Sequence, residues 1–491
     1  VLLATAVALG LAVTYRWPAW LRTIAIGVSI GLHIITIIWL LALWSGFAGV
    51  AVILVAVYNS INLLRIIIGK AEVHYLWHSV RQTSLWLGLA QLAAVYYLLV
   101  DSFIDVSVAA MLYILAASQL ALAIIVWLGT RRQLRTTTVD MQAMEYIADK
   151  DLPTVTVAVP VRNEAGQLEA CLTSILASNY PKLEVLAFDD HSHDKTPDII
   201  KSFAHAGVRF IRTSETSDGW LAKNQAYDSL AKAANGEYIL FCGADIRLGI
   251  RSIRHMVTVA QNRHKRMVAI LPQNVTTQRI PLLQAMRYFW EMAPPRRMFN
   301  RPPVLSSCWL IEHKALQRYG GFAAVKQSMS SEAHLALSAI ADNDGYSFLR
   351  SDSDLDITSQ KALAEQRSTA LLRRYPQAHR RPEVVLLYGL GLALLVAGPV
   401  AAIIYSLIVG MAVWPVAVAS VIALALQTVS FAAIQRPIFP RITAWRSYAA
   451  FLPAVLLDIY YLNRSMLQYE FATVSWKERN VSQPVMRSTR D

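Results

Sequence analysis

Three regimes of hydrophobic patterning follow one another along the chain. Up to about residue 130, apolar runs of bilayer length are broken only by short polar connections. From about 131 to 383, short β-branched runs alternate with helical stretches, and from 384 onward long apolar runs return. A helix needs about 20 apolar residues to cross the hydrocarbon core of a membrane. Five spans are therefore predicted before the middle block, at 1–14, 19–42, 46–68, 84–100 and 106–128, and two after it, at 384–408 and 411–434. The stretch 447–467 is interrupted by Pro453, Asp458 and Arg464 and reads as interfacial or re-entrant. The predicted organisation is a transmembrane block over 1–130, a soluble domain over 131–383, and a transmembrane or interfacial block with a cytoplasmic tail over 384–491. The chain begins at Val1 rather than Met, so residues can precede it, and the first segment is read as a span and not as a cleaved signal peptide.

Inside the middle block the predicted strands are Val155–Val159, Glu184–Phe188, Val208–Ile211 and Tyr238–Cys242. Helices are predicted over about 165–178, from Pro197 with Thr196 as N-cap, and over about 222–234. This alternation predicts parallel βαβ units. Sheets of that kind bind ligands outside the carboxyl ends of their strands. Here those ends are polar: Pro160-Val161-Arg162-Asn163-Glu164, Asp189-Asp190-His191-Ser192-His193-Asp194, and Asp245. Carboxylates at three strand ends suit a nucleotide, one acid accepting from base or ribose and another holding the divalent cation that offsets a diphosphate. Asp245 is the candidate metal and phosphate anchor. Neither GxxxxGK nor GxGxxG occurs, which excludes the usual nucleotide triphosphatase and dinucleotide signatures.

Composition strengthens the membrane reading. Hydrophobic residues make up 55% and charged residues 16% of the 491, well below the roughly 25% charge of soluble domains. The net charge is +13, but Lys and Arg cluster beside the apolar runs, which points to a membrane rather than nucleic acid. Arg16 and Arg22, then Arg65, Lys70 and Arg81, then Arg131, Arg132 and Arg135 mark alternate connections, so the positive-inside rule puts the N-terminus outside and the middle domain in the cytoplasm. The three cysteines, Cys171, Cys242 and Cys308, form no CxxC and imply neither a disulfide framework nor a zinc site.

With these residues in view, a family resemblance follows. The stretch Val157–Glu164, Cys171–Leu176 with Tyr180-Pro181, and Phe188–Asp194 resembles the nucleotide-binding half of family-2 glycosyltransferases with the GT-A fold. Gly219-Trp220-Leu221-Ala222-Lys223-Asn224 and Tyr319-Gly320-Gly321-Phe322 resemble two further signatures of that family. The tail Val474–Arg479 resembles the lipid-directed branch that includes ceramide glucosyltransferase and carotenoid or hopanoid-associated enzymes. The resemblance covers about 152–380 and the tail. It implies an α/β GT-A domain, Rossmann-like with a mostly parallel sheet, inserted between two α-helical transmembrane blocks. It further implies a UDP- or GDP-sugar donor, a lipid acceptor and a Mg2+ or Mn2+ cofactor. Pro160, Arg162, Glu164, Asp189, Asp190, Lys223, Asp245 and Tyr375 are then the expected donor-binding residues, with one of Asp189 and Asp190 at the base or ribose, Lys223 near the diphosphate and Asp245 on the metal.

Departures from the family pattern sharpen the chemistry. Gly243 stands at the first position of the usual Asp-x-Asp, leaving Asp245 alone, and Ala333 stands where the catalytic base is usual. Glu332 and His334 are the nearest replacements for that base. An inverting transfer needs a base within reach of an acceptor hydroxyl, unless the acceptor is an already ionised phosphate. The pattern therefore leaves a phosphate acceptor, a shifted base or impaired catalysis. The family's Gln-x-x-Arg-Trp appears only as Leu371–Tyr375, with Arg374 and Tyr375 in register, which speaks against a processive polysaccharide synthase and makes Arg374 a candidate for stabilising the leaving diphosphate. Pro281–Arg301 mixes aromatics, Met and Arg as interfacial helices do.

Overall fold

The computed structural model describes residues 108–212, 219–275, 280–293, 302–343, 345–360, 363–378, 385, 388–389, 391–409, 414–471, 475–476 and 479–480. The four predicted spans at 1–14, 19–42, 46–68 and 84–100 lie outside the described residues.

A seven-stranded sheet forms the middle of the molecule, in the order β3-β2-β1-β4-β7-β6-β8. Its members are β1 (Val155–Val161), β2 (Leu183–Asp189), β3 (Val208–Ile211), β4 (Tyr238–Cys242), β6 (Met267–Leu271), β7 (Cys308–Glu312) and β8 (Tyr346–Arg350). The first four pair in parallel, as the alternating pattern predicts, and β6 and β8 also pair in parallel. Only β7 runs the other way, between β4 and β6. The strands are almost continuously apolar because helices cover the sheet and both of its faces are buried.

The register of β1 opens the ligand crevice. It follows β2 as far as Val161 opposite Asp189, but follows β4 only to Ala158 opposite Phe241. Beyond Ala158 the two strands diverge, and Pro160, which has no N–H to donate, occupies the freed edge. The divergence falls where the strand order reverses around β1, the position at which open α/β sheets bind ligands. A second, two-stranded sheet pairs β5 (Ile246–Leu248) with β9 (Ile357–Ser359) and brings Ser359 opposite Ile246, beside Asp245.

The helix after β2 starts at Thr196, one residue before the predicted Pro197, and Thr196 does not cap it. Its backbone N–H donates to Asp194, and its hydroxyl instead accepts from the Glu164 N–H at 2.9 Å, tying the two strand-end loops together.

Residues 112–379 and 389–481, the α/β domain with the C-terminal helices, form one compact unit. The helix Leu363–Gln377 packs along Phe451–Phe471. The helix Leu282–Met292 packs against both Phe451–Phe471 and Trp414–Ile438, with Phe289 against Phe431 and Phe451. Eight of its eleven residues are buried, so this part of the stretch read as interfacial is an internal strut; 294–301 lie outside the described residues. The interrupted stretch 447–467 contains most of the continuous helix Phe451–Phe471.

Among the described residues two helices are long and apolar enough to cross a bilayer, Leu112–Thr136 and Trp414–Ile438, and a shorter apolar helix spans Leu395–Ile408. The first belongs to a helix over Val108–Thr136 that continues through Arg131, Arg132 and Arg135, past the predicted end at 128. Small residues let these helices approach, as Ala116, Ala402 and Val416 form one buried cluster. Large apolar side chains such as Ile114, Leu128, Leu407, Ile408 and Val421 point outward.

Candidate functional site

The crevice at the strand ends is a cavity of about 190 Å3. One side is built from the β1 and β2 ends. Asn163 and His191 hold positive φ of 49° and 54°, turning the chain sharply as each strand finishes. Arg162, almost fully buried, donates from Nη1 to the Asp190 carbonyl at 2.5 Å, and its guanidinium lies 4.0 Å from the Asp190 carboxylate. The Asn163 N–H donates to Ser192 Oγ at 2.9 Å. These contacts fix Pro160, Arg162, Glu164 and Asp190 on the cavity wall. Asp189, expected as an alternative to Asp190, does not line it. Its side chain is fully buried, accepts the Ser192 N–H at 3.2 Å and faces Arg212 at 3.7 Å, so it shapes the loop from beneath.

Asp245 lies on the same wall, just past β4. Ser359 Oγ donates to its Oδ2 at 2.7 Å, and the Gln360 N–H donates to its carbonyl at 2.8 Å. A Cβ at Gly243 would stand 2.7 Å from Asp245 Oδ1, so the missing side chain makes room for this carboxylate. No group of three His, Cys, Asp or Glu that could hold a metal occurs among the described residues. A single carboxylate still suits a Mg2+ or Mn2+ ion that takes its other ligands from substrate phosphates and water.

The cavity lining also carries cations, Lys223, Arg287 and Arg373. Lys223 stands in the first turn of the helix Ala222–Ala233, an end whose dipole disfavours a cation. Its Nζ reaches Glu332 Oε2 at 2.8 Å and sits 5.1 Å from the centre of the Tyr227 ring. Glu332 occupies the first turn of the helix Ser331–Ala341, where the dipole does favour an anion, and Arg373 approaches its Oε1 at 3.5 Å. Burial alone would raise the Glu332 carboxyl, but Lys223 and Arg373 outweigh it and hold the group down at about 2. Burial lowers Lys223 to about 8; Glu332 opposes this, and the neighbouring guanidinia of Arg373 and Arg287 add to it. Asn224 keeps the pair in place by donating to the carbonyls of Val325, Lys326 and Ser328, the loop that leads to Glu332. Behind it, Gly320 and Gly321 take left-handed φ of 84° and 59° and turn Phe322 into a ring cluster with Tyr227, Phe241 and Trp309.

Glu332 itself is not among the residues lining the cavity, and three further expected site residues lie elsewhere. His334 is exposed and absent from the cavity lining, because two residues along a helix is about 200° around it. Arg374 pairs instead with Asp458, which also accepts the Trp290 Nε1–H at 3.1 Å. Tyr375 is fully buried, with its ring 6.0 Å from Tyr469 and its N–H directed to Ser465 Oγ. The residues of that run lining the cavity are Leu372 and Arg373, which sequence reasoning passed over, as it did Arg287 and Ser359. The three cysteines also converge where no sequence spacing shows it: Cys242 is the β4 partner of Cys308, and Cys171 Sγ lies 3.6 Å from the Gly243 carbonyl. All three are free and buried.

Residues 156–320 match the family described as Glycosyl transferase family 2. The match runs from β1 to just past β7, so the similarity to that family lies in the α/β domain. The glycosyltransferase AglE of Haloferax volcanii is 31% identical over 98 residues, covering 19% of this chain and 31% of that protein. A PGL/p-HBAD biosynthesis glycosyltransferase of Mycobacterium tuberculosis is 34% identical over 97 residues, covering 19% and 36%. The chain thus spans about a third of the length of these curated relatives. A solved mannosyltransferase of Pyrobaculum calidifontis, in complex with GDP-Man and Mn2+, aligns over 73% of this chain and 98% of its own at 19% identity, with a TM-score of 0.44.

Proposed function

We propose that this protein is a membrane glycosyltransferase that moves one sugar at a time from a nucleoside-diphosphate sugar to a lipid on the cytoplasmic face, with inversion at the anomeric carbon. The observation that carries the reading is the cavity lining, which brings Glu164, Asp190 and Asp245 at the strand ends together with Lys223 and Arg373. Carboxylates beside a crevice suit the hydroxyls and N–H groups of a nucleoside, and cations suit its diphosphate. In this reading Asp190 and Glu164 accept from base and ribose, Lys223 meets the diphosphate, and Asp245 would hold Mg2+ or Mn2+. That ion would supply positive charge to the departing nucleoside diphosphate.

Membrane attachment is supported by the two long apolar helices and their outward Ile and Leu side chains, and by Arg131 lying 4.6 Å from the centre of the Trp127 ring, the pairing of types found at membrane–water boundaries. Arg374 and Tyr375 turn toward the C-terminal helix rather than over the cavity, which speaks against a processive synthase. One observation favours a second reading, a binding or scaffold protein of the glycosyltransferase type: Glu332, the nearest carboxylate to the usual base position, is engaged by two cations.

The test is incubation of the purified full chain with labelled UDP- and GDP-hexoses, Mn2+ and a native lipid extract. The wild type is expected to label a lipid with a single sugar, and Asp245→Asn to lose this. A polymeric product would favour the synthase. Nucleotide-sugar binding without turnover would favour the scaffold.

A further inference from the structure

One strongly basic group of the cavity has no task in the nucleotide-sugar account. Arg287 stands in the middle of the helix Leu282–Met292 and lines the cavity, yet its Nε is buried without a hydrogen-bond partner. Among the described residues its guanidinium forms no ion pair and no hydrogen bond. Burial, with Arg373 adding to it, brings Arg287 down to about 10, so it remains a cation at neutral pH. Arg287 is half-buried, and a partly desolvated charge without an ion-pair partner is costly, which a ligand of opposite sign would relieve.

The surroundings narrow the ligand. Arg373 is the guanidinium beside Arg287, and both also line a second cavity of about 40 Å3 with Leu283, Thr369, Ala370, Arg374 and Gln377. Arg287 and Arg373, with Gln284 and Thr369, therefore line both the main cavity and a recess between two helices. Those helices, Leu282–Met292 and Leu363–Gln377, are the ones that pack on the C-terminal helix Phe451–Phe471. Glu332 is already met by Lys223 and Arg373, Glu291 receives the Val304 N–H, and Glu365 lies two turns from Arg373 on its own helix. Asp245 is tied to Ser359 and Arg373 to Glu332, so the metal acid and the guanidinium pair are held by different partners within one cavity. Two guanidinium forks are suited to the several oxygens of a phosphate.

We propose that Arg287 and Arg373 bind the phosphate of the acceptor, which makes the acceptor a lipid phosphate and its phosphate oxygen the nucleophile. The inference rests on the proposed function for the sugar donor. The ionised phosphate oxygen forms a bond to the anomeric carbon as the bond from that carbon to the donor's β-phosphate oxygen breaks. The electron pair leaves with the nucleoside diphosphate, and no proton changes hands. A general base is then unnecessary, in keeping with Ala333 at the usual base position, the outward His334 and the engaged Glu332.

Binding to the full chain in detergent tests this without turnover, with farnesyl phosphate, farnesol and inorganic phosphate as probes and UDP or GDP with Mn2+ measured separately. Farnesyl phosphate is expected to bind wild type at least about tenfold more tightly than either farnesol or inorganic phosphate. Arg287→Gln should weaken farnesyl phosphate at least about tenfold while leaving the nucleotide within about twofold, and Arg287→Lys should recover part of the loss. Farnesol binding as well as its phosphate would overturn the proposal, and this comparison needs no variant to fold. Inorganic phosphate binding as tightly as the lipid would overturn the lipid source. Equal loss of nucleotide and farnesyl phosphate in Arg287→Gln would assign the pair to the donor and overturn it too. Intact farnesyl phosphate binding with no transfer from any nucleotide-sugar would sink the proposed activity and leave this site standing.

Discussion

Replacing Lys223 by Met tests how the cationic wall is held together. Glu332 is 3% exposed at its side chain and has two charged partners, Lys223 at 2.8 Å and Arg373 at 3.5 Å. Removing one member of a buried pair typically costs about 3–5 kcal/mol, because the other is left uncompensated. Here Arg373 remains, so the expected loss is smaller, about 2 kcal/mol. For a domain of this size that corresponds to a fall in Tm of about 4–8 °C. Replacing Glu332 by Leu as well removes the stranded charge, and the double variant should recover most of the loss, giving a coupling of about 1–2 kcal/mol in the cycle. The pH dependence gives an independent check. The folded carboxyl, at about 2, lies below its unfolded value near 4.3, so its contribution is fully present above about pH 5 and fades as pH falls through the folded value. That acid limb should shrink in Lys223→Met. The assay is thermal unfolding of the full chain in detergent between pH 3 and 8. A Tm within about 1 °C of wild type for Lys223→Met, or a double variant no better than Lys223→Met alone, would refute the reasoning.

Three further outcomes follow from the same geometry. Gly243→Ala places a Cβ 2.7 Å from Asp245 Oδ1 and should push the carboxylate off Ser359, lowering metal-dependent transfer more than about tenfold with Tm changed by less than about 2 °C; undiminished transfer would count against the Asp245 assignment. Arg374→Gln leaves Asp458 buried and short of its ion pair and should cost about 3 kcal/mol of stability with nucleotide and farnesyl phosphate affinity retained, whereas Arg373→Gln should weaken farnesyl phosphate binding; the reverse pattern, read by calorimetry and thermal unfolding, would restore Arg374 to the site. Burial pushes the Cys308 thiol up, and all three thiols are buried, so a disulfide reagent should titrate none in the native protein and all three after denaturation.

The sequence made the donor half of the fold readable and left the other half dark, for physical reasons. Strands β1 to β4 are β-branched runs with local βαβ connections, and they stand within two residues of their predicted ends. β6, β7 and β8 bring together residues as distant as Met267, Ile311 and Tyr346, a pairing that no local pattern announces. The placement of the motif residues has a helical cause. Neighbouring helix residues point about 100° apart, so a motif aligned by letters at Arg374 and Tyr375 brings Leu372 and Arg373 to the cavity, with Arg374 and Tyr375 against the C-terminal helix. Arg287 was hidden for a related reason: an Arg among aromatics and Met reads as a membrane-surface residue until the strut that carries it is seen buried on nearly every side.

A structure of the full chain with UDP or GDP and Mn2+ decides whether the crevice between β1 and β4 is the donor site. The base and ribose are expected against Asp190 and Glu164, the metal on Asp245 and the diphosphate turned toward Lys223. A nucleotide bound away from Asp190 and Asp245, or its diphosphate seated wholly between Arg287 and Arg373, would contradict that placement.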